Sequence, residues 1–491
     1  MTVKNIAFDL GASSGKMMLG EFDGKLIDAK VIHRFPNSYI AICNGLYWNI
    51  LNIYQNMITG IEKAYDTAGS AIESIGIDSF CNDFGLIGSK GDLINQIRCY
   101  RDERTARCAE KIYSIISKEE LYQKTGVQIA LFNTAIQMAA MVLEGEGFLL
   151  DKSESMLLIP DLLGYMLTGV KRSEYTLSSV TQLFDYKTCS WHKEIMSRFH
   201  INPEIFPEII EPGQILGKVK KEIRDNCGFD GLKVVAVAGH DTASAVCAVP
   251  SNKEHVAYIS SGTWSIVGTE VMDPIINQDT YRFNFSFEGG VDHRYRMLKN
   301  VMGLWLIQEA KRDLERKGQF YSFEELNDLA LREEPFRSLI DPDDGTFYMP
   351  GNMLEKIRDF CFKTNQKLPE TPGQFIRTIL ESLALKYRFV LEKLEEVLGY
   401  RFEEIHILGG GGQNKMLNRF VADATGKTVF VGPIEAALYG NLMTQLRALG
   451  EIKNLNEGRE IISKSCNITT YEPDRTQDWN SKYEYFKTLL K

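Results

Sequence analysis

Two distant stretches of this chain repeat one local pattern, and the repetition limits the folds open to it. Alternating apolar residues over Val3–Asp9 read as a strand that enters a small-residue turn, Gly11–Gly15, and returns as a second strand over Lys16–Phe22. Much later, His255–Ser260 reads as a strand, Ser261-Gly262-Thr263 as a small-residue turn, and Trp264–Val271 as the returning strand. At 491 residues the chain is too long for one small core. Length and echo together predict an α/β protein of two related domains facing each other across a cleft. The boundary is placed near Pro250, where Pro-Ser-Asn-Lys interrupts the pattern. This gives domains 1–249 and 250–450, with 451–491 as a solvated, partly helical C-terminal extension.

Around these units the pattern alternates. Asp23-Gly24 is a hairpin turn leading to a third strand near Leu26–His33, and Leu51, Tyr54, Ile58, Ile61 and Tyr65 recur at helical spacing. Ser74–Ser79 reads as a short buried strand, Leu86–Ile94 as a hairpin, and residues 110–200 as mostly helical. Lys233–Ala238 is a strand ending at Gly239-His240-Asp241, with a helix over Thr242–Val249. In the second half, helices are expected over Val301–Arg316 and Phe375–Leu398. The strand Glu404–Leu408 runs into four glycines, Gly409–Gly412, followed by a helix, the strand Thr428–Val431 and a last helix to Leu449.

Composition removes several classes of function. There are 56 Lys+Arg against 65 Asp+Glu, a net charge of −9, which argues against a nucleic-acid surface. No apolar run approaches the roughly 18 residues of a membrane span, and the opening MTVKNIAFDLG enters a strand directly, so no signal peptide is expected. Nine cysteines are scattered without a C-x-x-C pair, and no H-E-x-x-H occurs. A disulfide framework or zinc site is therefore not expected, and a cytoplasmic location is. Nothing in the pattern specifies an oligomeric state.

Three Gly/Ser/Thr loops fall at strand ends: Asp9–Lys16, Ser260–Ser265 and Gly409–Asn414. Singly each reads as a tight turn. As a set they suit an anion such as phosphate, because glycine lets backbone N–H groups approach it. None is a Walker A loop or a G-x-G-x-x-G fingerprint. Asp9, at the first strand's end, suits Mg²⁺ held directly or through water on a nucleotide's phosphates, or a turn-forming carboxylate. Asp241 suits a general base for transfer to an alcohol, though Asp-Thr-Ala-Ser equally supplies a helix N-cap.

Taken in order, Asp9-Leu-Gly-Ala-Ser-Ser-Gly15, Tyr100-Arg-Asp-Glu-Arg-Thr105, Gly239-His-Asp-Thr-Ala-Ser-Ala245, Ser260-Ser-Gly-Thr-Trp-Ser265, Leu298-Lys-Asn-Val-Met-Gly-Leu-Trp-Leu306 and Leu408-Gly-Gly-Gly-Gly-Gln-Asn414 resemble the FGGY carbohydrate kinases, from the first strand to about Gly450. Within that family the chain resembles the branch acting on L-rhamnulose. The resemblance implies two ribonuclease-H-like (actin-like ATPase) domains flanking an active-site cleft that takes ATP, Mg²⁺ and a sugar. It places the ATP phosphates on Ala12, Ser13, Ser14, Gly15 and Lys16, with further nucleotide contacts at Thr263, Gln308 and Gly410. Lys16 stands where that branch usually has Arg, which keeps the charge but loses the fork geometry. His240, Asp241, Thr242 and Asn300 match sugar contacts, with Asp241 as the base that gives a 1-phosphate. The segment Ser79-Phe80-Cys81-Asn82 departs from the branch's Thr-Trp-Gly-Val, so Cys81 enters the sugar-binding segment. That departure leaves L-fuculose, xylulose, ribulose or a branched ketose open as the acceptor, since a methyl-sized change is worth only about 1–3 kcal/mol of discrimination. Cys81 also reads simply as a small buried residue. The reading from another class is a non-catalytic ATP-binding sugar sensor.

Overall fold

The computed structural model describes residues 2–490 apart from Gly228, Asp230 and Arg475. The chain forms two compact units, each with its own sheet. The first takes Met1–Asn252, Glu270–Met297 and Ala436–Cys466; the second takes Lys253–Thr269, Leu298–Glu435 and Asn467–Lys491. Among the described residues no helix is long and apolar enough to cross a membrane.

In the first unit the strands are β1 (Val3–Leu10), β2 (Ser14–Phe22), β3 (Ile27–Pro36), β4 (Ile72–Ser79), β5 (Gln214–Lys218) and β6 (Lys233–Ala236). Their order in the sheet is β5-β6-β4-β1-β2-β3. β1, β2 and β3 form an antiparallel meander, while β4 joins β1, and β6 joins β4, in parallel. A strand paired on both edges and covered on both faces is apolar nearly throughout, as Ile6, Ala7, Phe8 and Leu10 of β1 are. The helix Ile50–Ala68 covers one face with Ile50, Ile53, Met57, Ile61 and Ala64, starts where the Asn49 side chain accepts from Asn52 N–H, and stops at Gly69 with φ +68°. A late helix, Ala436–Ala448, returns to this unit and sets polar side chains against the sheet. Gln445 Nε2 donates to the Ile6 carbonyl at 2.9 Å, and Asn441 Nδ2 donates to the Phe8 carbonyl at 3.4 Å.

The second unit repeats the plan. Its strands are β7 (Val256–Ser261), β8 (Trp264–Val271), β9 (Tyr295–Met302), β10 (Glu404–Leu408), β11 (Thr428–Val431) and β12 (Thr469–Tyr471). They follow the order β9-β8-β7-β10-β11-β12. These are six of the seven strands of that sheet; β7 and β8 form the hairpin, β10 and β11 add in parallel, and β12 closes antiparallel, the pairing scheme of the first sheet. The helix Pro372–Leu398 starts with Thr371 accepting from Gln374 N–H and Pro at the first position, and ends at Gly399 in the left-handed region. The duplicated α/β plan is the one the sequence echo predicts.

Three expectations are corrected. The first small-residue turn is shorter than expected, because β2 begins at Ser14; Gly15 and Lys16 are strand residues opposite Leu10 and Asp9. Gly15 is needed there because a Cβ would enter the ring of Phe35 on the neighbouring strand. The 110–200 region is mostly helical, as expected, and includes the strand Ser153–Leu158, antiparallel to Phe84–Gly88. A short apolar run of that kind carries no period that separates strand from helix. The hairpin expected over Leu86–Ile94 is present: Ile94 N–H donates to Leu86 O, Gly88 N–H donates to Asp92 O, and Ile87 is bridged to Leu93. Val301 and Met302 end β9, and the helix begins only at Trp305. Finally, the C-terminal region is not a solvated extension. Leu455, Arg459, Ile461 and Ile462 are buried on one helix, and Trp479, Tyr483 and Phe486 on another.

Candidate active site

The parallel register of β1 and β4 sets Asp9 directly opposite Asp78. Asp78 was not singled out by sequence. It is fully buried, and burial followed by the nearby Asp9 carboxylate pushes its carboxyl well above the ordinary range, with Asp241 adding to the push. Oδ2 of Asp78 accepts a 2.6 Å hydrogen bond from Asn441 Nδ2, while Oδ1 is buried and accepts none among the described residues. The support runs deeper as a polar chain: Gln445 Nε2 donates to Asn441 Oδ1, Ser74 Oγ to Gln445 Oε1, and Asn5 Nδ2 to Ser74 Oγ, all within 2.7 Å. Above the pair, Asn37 ties down the turn by donating from Nδ2 to Gly11 O and from its backbone N–H to Ser13 O. Ala12, Ser13 and Ser14 are at least partly exposed, whereas Gly15 is buried.

The next strand end carries Gly239-His240-Asp241. Ser79 N–H donates to Gly239 O at 2.9 Å, so this segment extends the sheet beside β4. The helix Asp241–Cys247 begins there, and its N-cap residue is His240, not Asp241. Asp241 is about one-third exposed, at 35% of its side chain. Its Oδ1 accepts from Thr242 N–H at 2.6 Å and Thr242 Oγ1 at 3.2 Å, with His240 Nε2 at 3.3 Å. Oδ2 takes none of these contacts. Thr242 is buried.

His240 is held from its other side by a buried ion pair that sequence reading missed. Arg296 Nη2 lies 3.1 Å from Glu288 Oε2 and 3.2 Å from His240 Nδ1; Arg296 is wholly buried and Glu288 nearly so. Burial works against a charged imidazole, but Cys81 and Glu288 outweigh it and raise His240 to about 10. Burial alone would raise Glu288, yet Arg296 and His240 hold it below the ordinary carboxylate range. Cys81 therefore sits beside His240, and its Sγ accepts from Asn82 Nδ2 at 3.1 Å. Among the site residues proposed from sequence in this unit, the structure brings together Asp9 with the Ala12–Lys16 turn, and Cys81 with His240, Asp241 and Thr242. The link between those two groups is Asp78, which feels both Asp9 and Asp241.

The Phe80–Asp83 segment is built to be rigid. Asn82 adopts φ +76°, a conformation asparagine tolerates better than most residues. Its carbonyl accepts from Thr134 Oγ1 at 2.9 Å. Phe80 packs on Trp48 with ring centroids 4.6 Å apart, and Tyr100 lies 6.3 Å from both Phe80 and Phe132. The neighbouring Asp102 is buried, accepts from the Leu46 and Arg104 N–H groups, and lies 3.3 Å from Arg98 Nη1. Asp83 accepts from Trp48 Nε1, Tyr100 N–H and Gln137 Nε2 at 2.6–2.9 Å, yet complete burial raises it to about 7.

A raised carboxyl pKa means that the folded state binds a proton the unfolded state has already released. The stability Asp83 contributes is thus complete below its unfolded value of 3.8 and is lost as pH rises through about 7. Asp83→Asn should remove that dependence, flattening the fall in unfolding free energy between pH 4 and pH 8 by on the order of 4 kcal/mol. Urea titrations of both proteins at several pH values measure the slope. Parallel curves would show that Asp83 ionises normally.

The second unit holds the remaining sequence-proposed residues. Gly303 N–H and Trp305 N–H donate to Thr263 O, and Leu304 N–H to Gly262 O, so the β9-to-helix turn lies on the β7–β8 turn. Gly303 is obligatory there, since a Cβ would lie 2.8 Å from Ser265 N. Thr263 Oγ1 and the Gln308 amide are 3.5 Å apart. The glycine loop after β10 folds over Ser261: Gly409 has φ +81°, and a Cβ on Gly411 would collide with the Ser261 backbone. Gly410 has open space where a side chain would be. Thr263, Gln308 and Gly410 are thus gathered on adjoining turns of one unit. Asn300 stands on β9, half-buried, in the same unit.

Comparison with known proteins places these features in context. The model for the FGGY family of carbohydrate kinases matches in two parts, its N-terminal domain over residues 5–248 and its C-terminal domain over 257–449. A protein of Bacteroides thetaiotaomicron named rhamnulokinase is 40% identical over 485 residues, covering 99% of each chain. A rhamnulokinase of Bacillus subtilis is 37% identical, covering 99% of this chain and 98% of its own. Among solved structures, ligand-bound xylulose kinase from Lactobacillus acidophilus aligns with TM-score 0.80 over 99% of this chain and 97% of its own, at 16% identity. Plasmodium falciparum glycerol kinase with ADP aligns with TM-score 0.77 over 100% and 99%, at 15% identity. At such identities the structural likeness establishes the fold.

Proposed function

The chain belongs to the FGGY family of carbohydrate kinases, and we propose that it transfers the terminal phosphoryl group of ATP to the primary hydroxyl of L-rhamnulose, giving L-rhamnulose 1-phosphate and ADP. The observation that carries the sugar assignment is that similarity to proteins named rhamnulokinase extends along nearly the whole chain, sugar-side and nucleotide-side motifs alike. The family-model matches support the division into 1–249, which holds the sugar site and first phosphate turn, and 250–450, which holds the nucleotide contacts, with 451–491 beyond them.

In this reading Asp241 takes the proton from the sugar's primary hydroxyl. The sugar oxygen then bonds to the terminal phosphorus as the bond from that phosphorus to the bridging oxygen breaks, and ADP leaves. Asp241 suits the task because Thr242 and His240 fix Oδ1, while Oδ2 takes none of their contacts. His240, Thr242, Cys81 and Asn300 would contact the sugar. Ala12, Ser13, Ser14, Gly15 and Lys16 would border the phosphates, with Thr263, Gln308 and Gly410 on the nucleotide.

A divalent ion fits the residues present. Mg²⁺ uses one or two carboxylates and keeps its remaining positions for water and phosphate oxygens, and Asp9 paired with Asp78 offers that set. Among the described residues no group of three or more acidic, His or Cys ligands forms a closed cage. Among the described residues, the buried Oδ1 of Asp78 accepts no hydrogen bond. A bound Mg²⁺ would offset charge on the phosphate oxygens. A cytoplasmic setting belongs to the same reading, supported by the eight described cysteines that remain thiols.

The test is a coupled ADP-release assay over L-rhamnulose, L-fuculose, both xyluloses, both ribuloses and glycerol. L-rhamnulose should give the highest kcat/KM. A higher value for another ketose would reassign the sugar, and sugar binding without ADP release would make the chain a sensor. The position of Cys81 against His240 gives the screen a second arm. Cys81→Gly should change the preference for L-rhamnulose over L-fuculose by about tenfold. An unchanged ratio would leave Cys81 as packing only.

A further inference from the structure

Behind the Gly239-His240-Asp241 turn lies a buried carboxylate that holds the backbone of the turn. Glu174 is fully buried, at the start of the short helix Tyr175–Ser179. Its Oε1 accepts from Thr176 N–H at 2.9 Å. Its Oε2 accepts from Thr176 Oγ1 at 2.6 Å, Leu177 N–H at 3.0 Å and, across a long stretch of chain, Gly239 N–H at 3.1 Å. Thr176 Oγ1 in turn accepts from His240 N–H at 3.2 Å. Two consecutive backbone N–H groups of the turn therefore end on the Glu174–Thr176 pair. Gly239 is glycine because the approach is so close: a Cβ there would lie 3.1 Å from Glu174 Oε2 and 2.7 Å from Leu177 Cδ1. From beneath, Asp161 Oδ1 accepts from Glu174 N–H at 3.1 Å.

We propose that Glu174, acting through Thr176, is a positioning residue for phosphoryl transfer, fixing the backbone from which Asp241 reaches the sugar hydroxyl. The inference rests on the reading of Asp241 as the base. A carboxylate is the acceptor this place requires, because three backbone N–H groups that cannot turn away, and the Thr176 hydroxyl, converge on two oxygens. In Glu174→Gln the amide nitrogen would face donors, and the Gly239 or Thr176 bonds would be lost. Thr176→Val removes the one hydroxyl that links Glu174 to His240 N–H, with almost no change of shape, and Thr176→Ser retains it.

The experiment measures kcat, both KM values and thermal unfolding for the three variants beside Asp241→Asn, with L-rhamnulose and ATP. Thr176→Val and Glu174→Gln should lower kcat by about 100-fold, the usual cost of a misplacement near 1 Å, while KM for ATP stays unchanged. Thr176→Ser should restore most of the rate. If Thr176→Ser is as slow as Thr176→Val, or if kcat falls only in step with melting temperature and with KM for ATP, the inference is overturned. An inactive Asp241→Asn beside unimpaired Thr176→Val and Glu174→Gln overturns it alone. Wild-type turnover in Asp241→Asn would remove the base assignment and this inference with it.

Discussion

Asp241→Asn is expected to lower kcat by about 10³-fold, within the range that general-base catalysis contributes, while affinity for ATP and sugar changes little. The amide is the same size as the carboxylate, and its oxygen can still accept from Thr242 N–H and Oγ1, so the turn should survive. The variant loses the capacity to take a proton. Phosphoryl transfer asks little covalent chemistry of a protein, so deleting the base removes one of the few chemical contributions the side chains make. ADP release, with ATP binding measured by calorimetry, separates the two effects. Activity within tenfold of the parent would remove Asp241 from its role.

The second large effect concerns stability. Gly440 lies where the helix Ala436–Ala448 crosses Asp241–Cys247. A Cβ on it would sit 2.7 Å from the Ser244 carbonyl carbon, nearer still to its oxygen, and 3.2 Å from Cys247 Cβ. Backbone cannot rotate aside as a long side chain does, and Ser244 is further tied by Oγ donating to the Ala238 carbonyl at 2.8 Å. Gly440→Ala should therefore cost about 3 kcal/mol, the upper part of the overpacking range. Gly345→Ala, where a Cβ meets nothing within 4 Å, is the control and should melt like the parent. Thermal unfolding of the two variants decides it. Equal melting temperatures would mean that the helices part without cost. The same crossing ties stability to chemistry, since the displaced helix carries Asp241 at its first position.

Much of the candidate site was legible in sequence because its parts are local. Strand ends, small-residue turns and an acidic residue beside a turn leave marks a few residues long, and Asp9, Thr263 and Asp241 all lie at such marks. The partners that tune them leave none. Asp78 sits in an ordinary apolar strand, and only the parallel register of β1 and β4 sets it opposite Asp9. Glu288 and Arg296 are commonplace in a sequence, yet folded they grip His240. Glu174 likewise leaves no mark in the sequence; its bond to Gly239 N–H exists only in the folded chain. Trp48, which donates to Asp83, carried a weak signal in the Asn44-Gly45-Leu46-Tyr47-Trp48 turn-and-strand pattern.

The order of residues alone determined the duplicated α/β plan, the hairpins and the turns on which the proposed chemistry stands. Burial alternates with the backbone's own period, and glycine frees the chain wherever it occurs, so these are properties of neighbouring residues. Tertiary structure alone decided which charges are shared. Burial, then Asp9, Asn441 and Asp241 from remote parts of the chain, set the direction in which the Asp78 carboxyl shifts, and burial, Cys81, Glu288 and Arg296 set that of His240. A charge removed from water interacts strongly with whatever lies a few ångströms away, and that neighbour is set by the folded path rather than by position in the sequence.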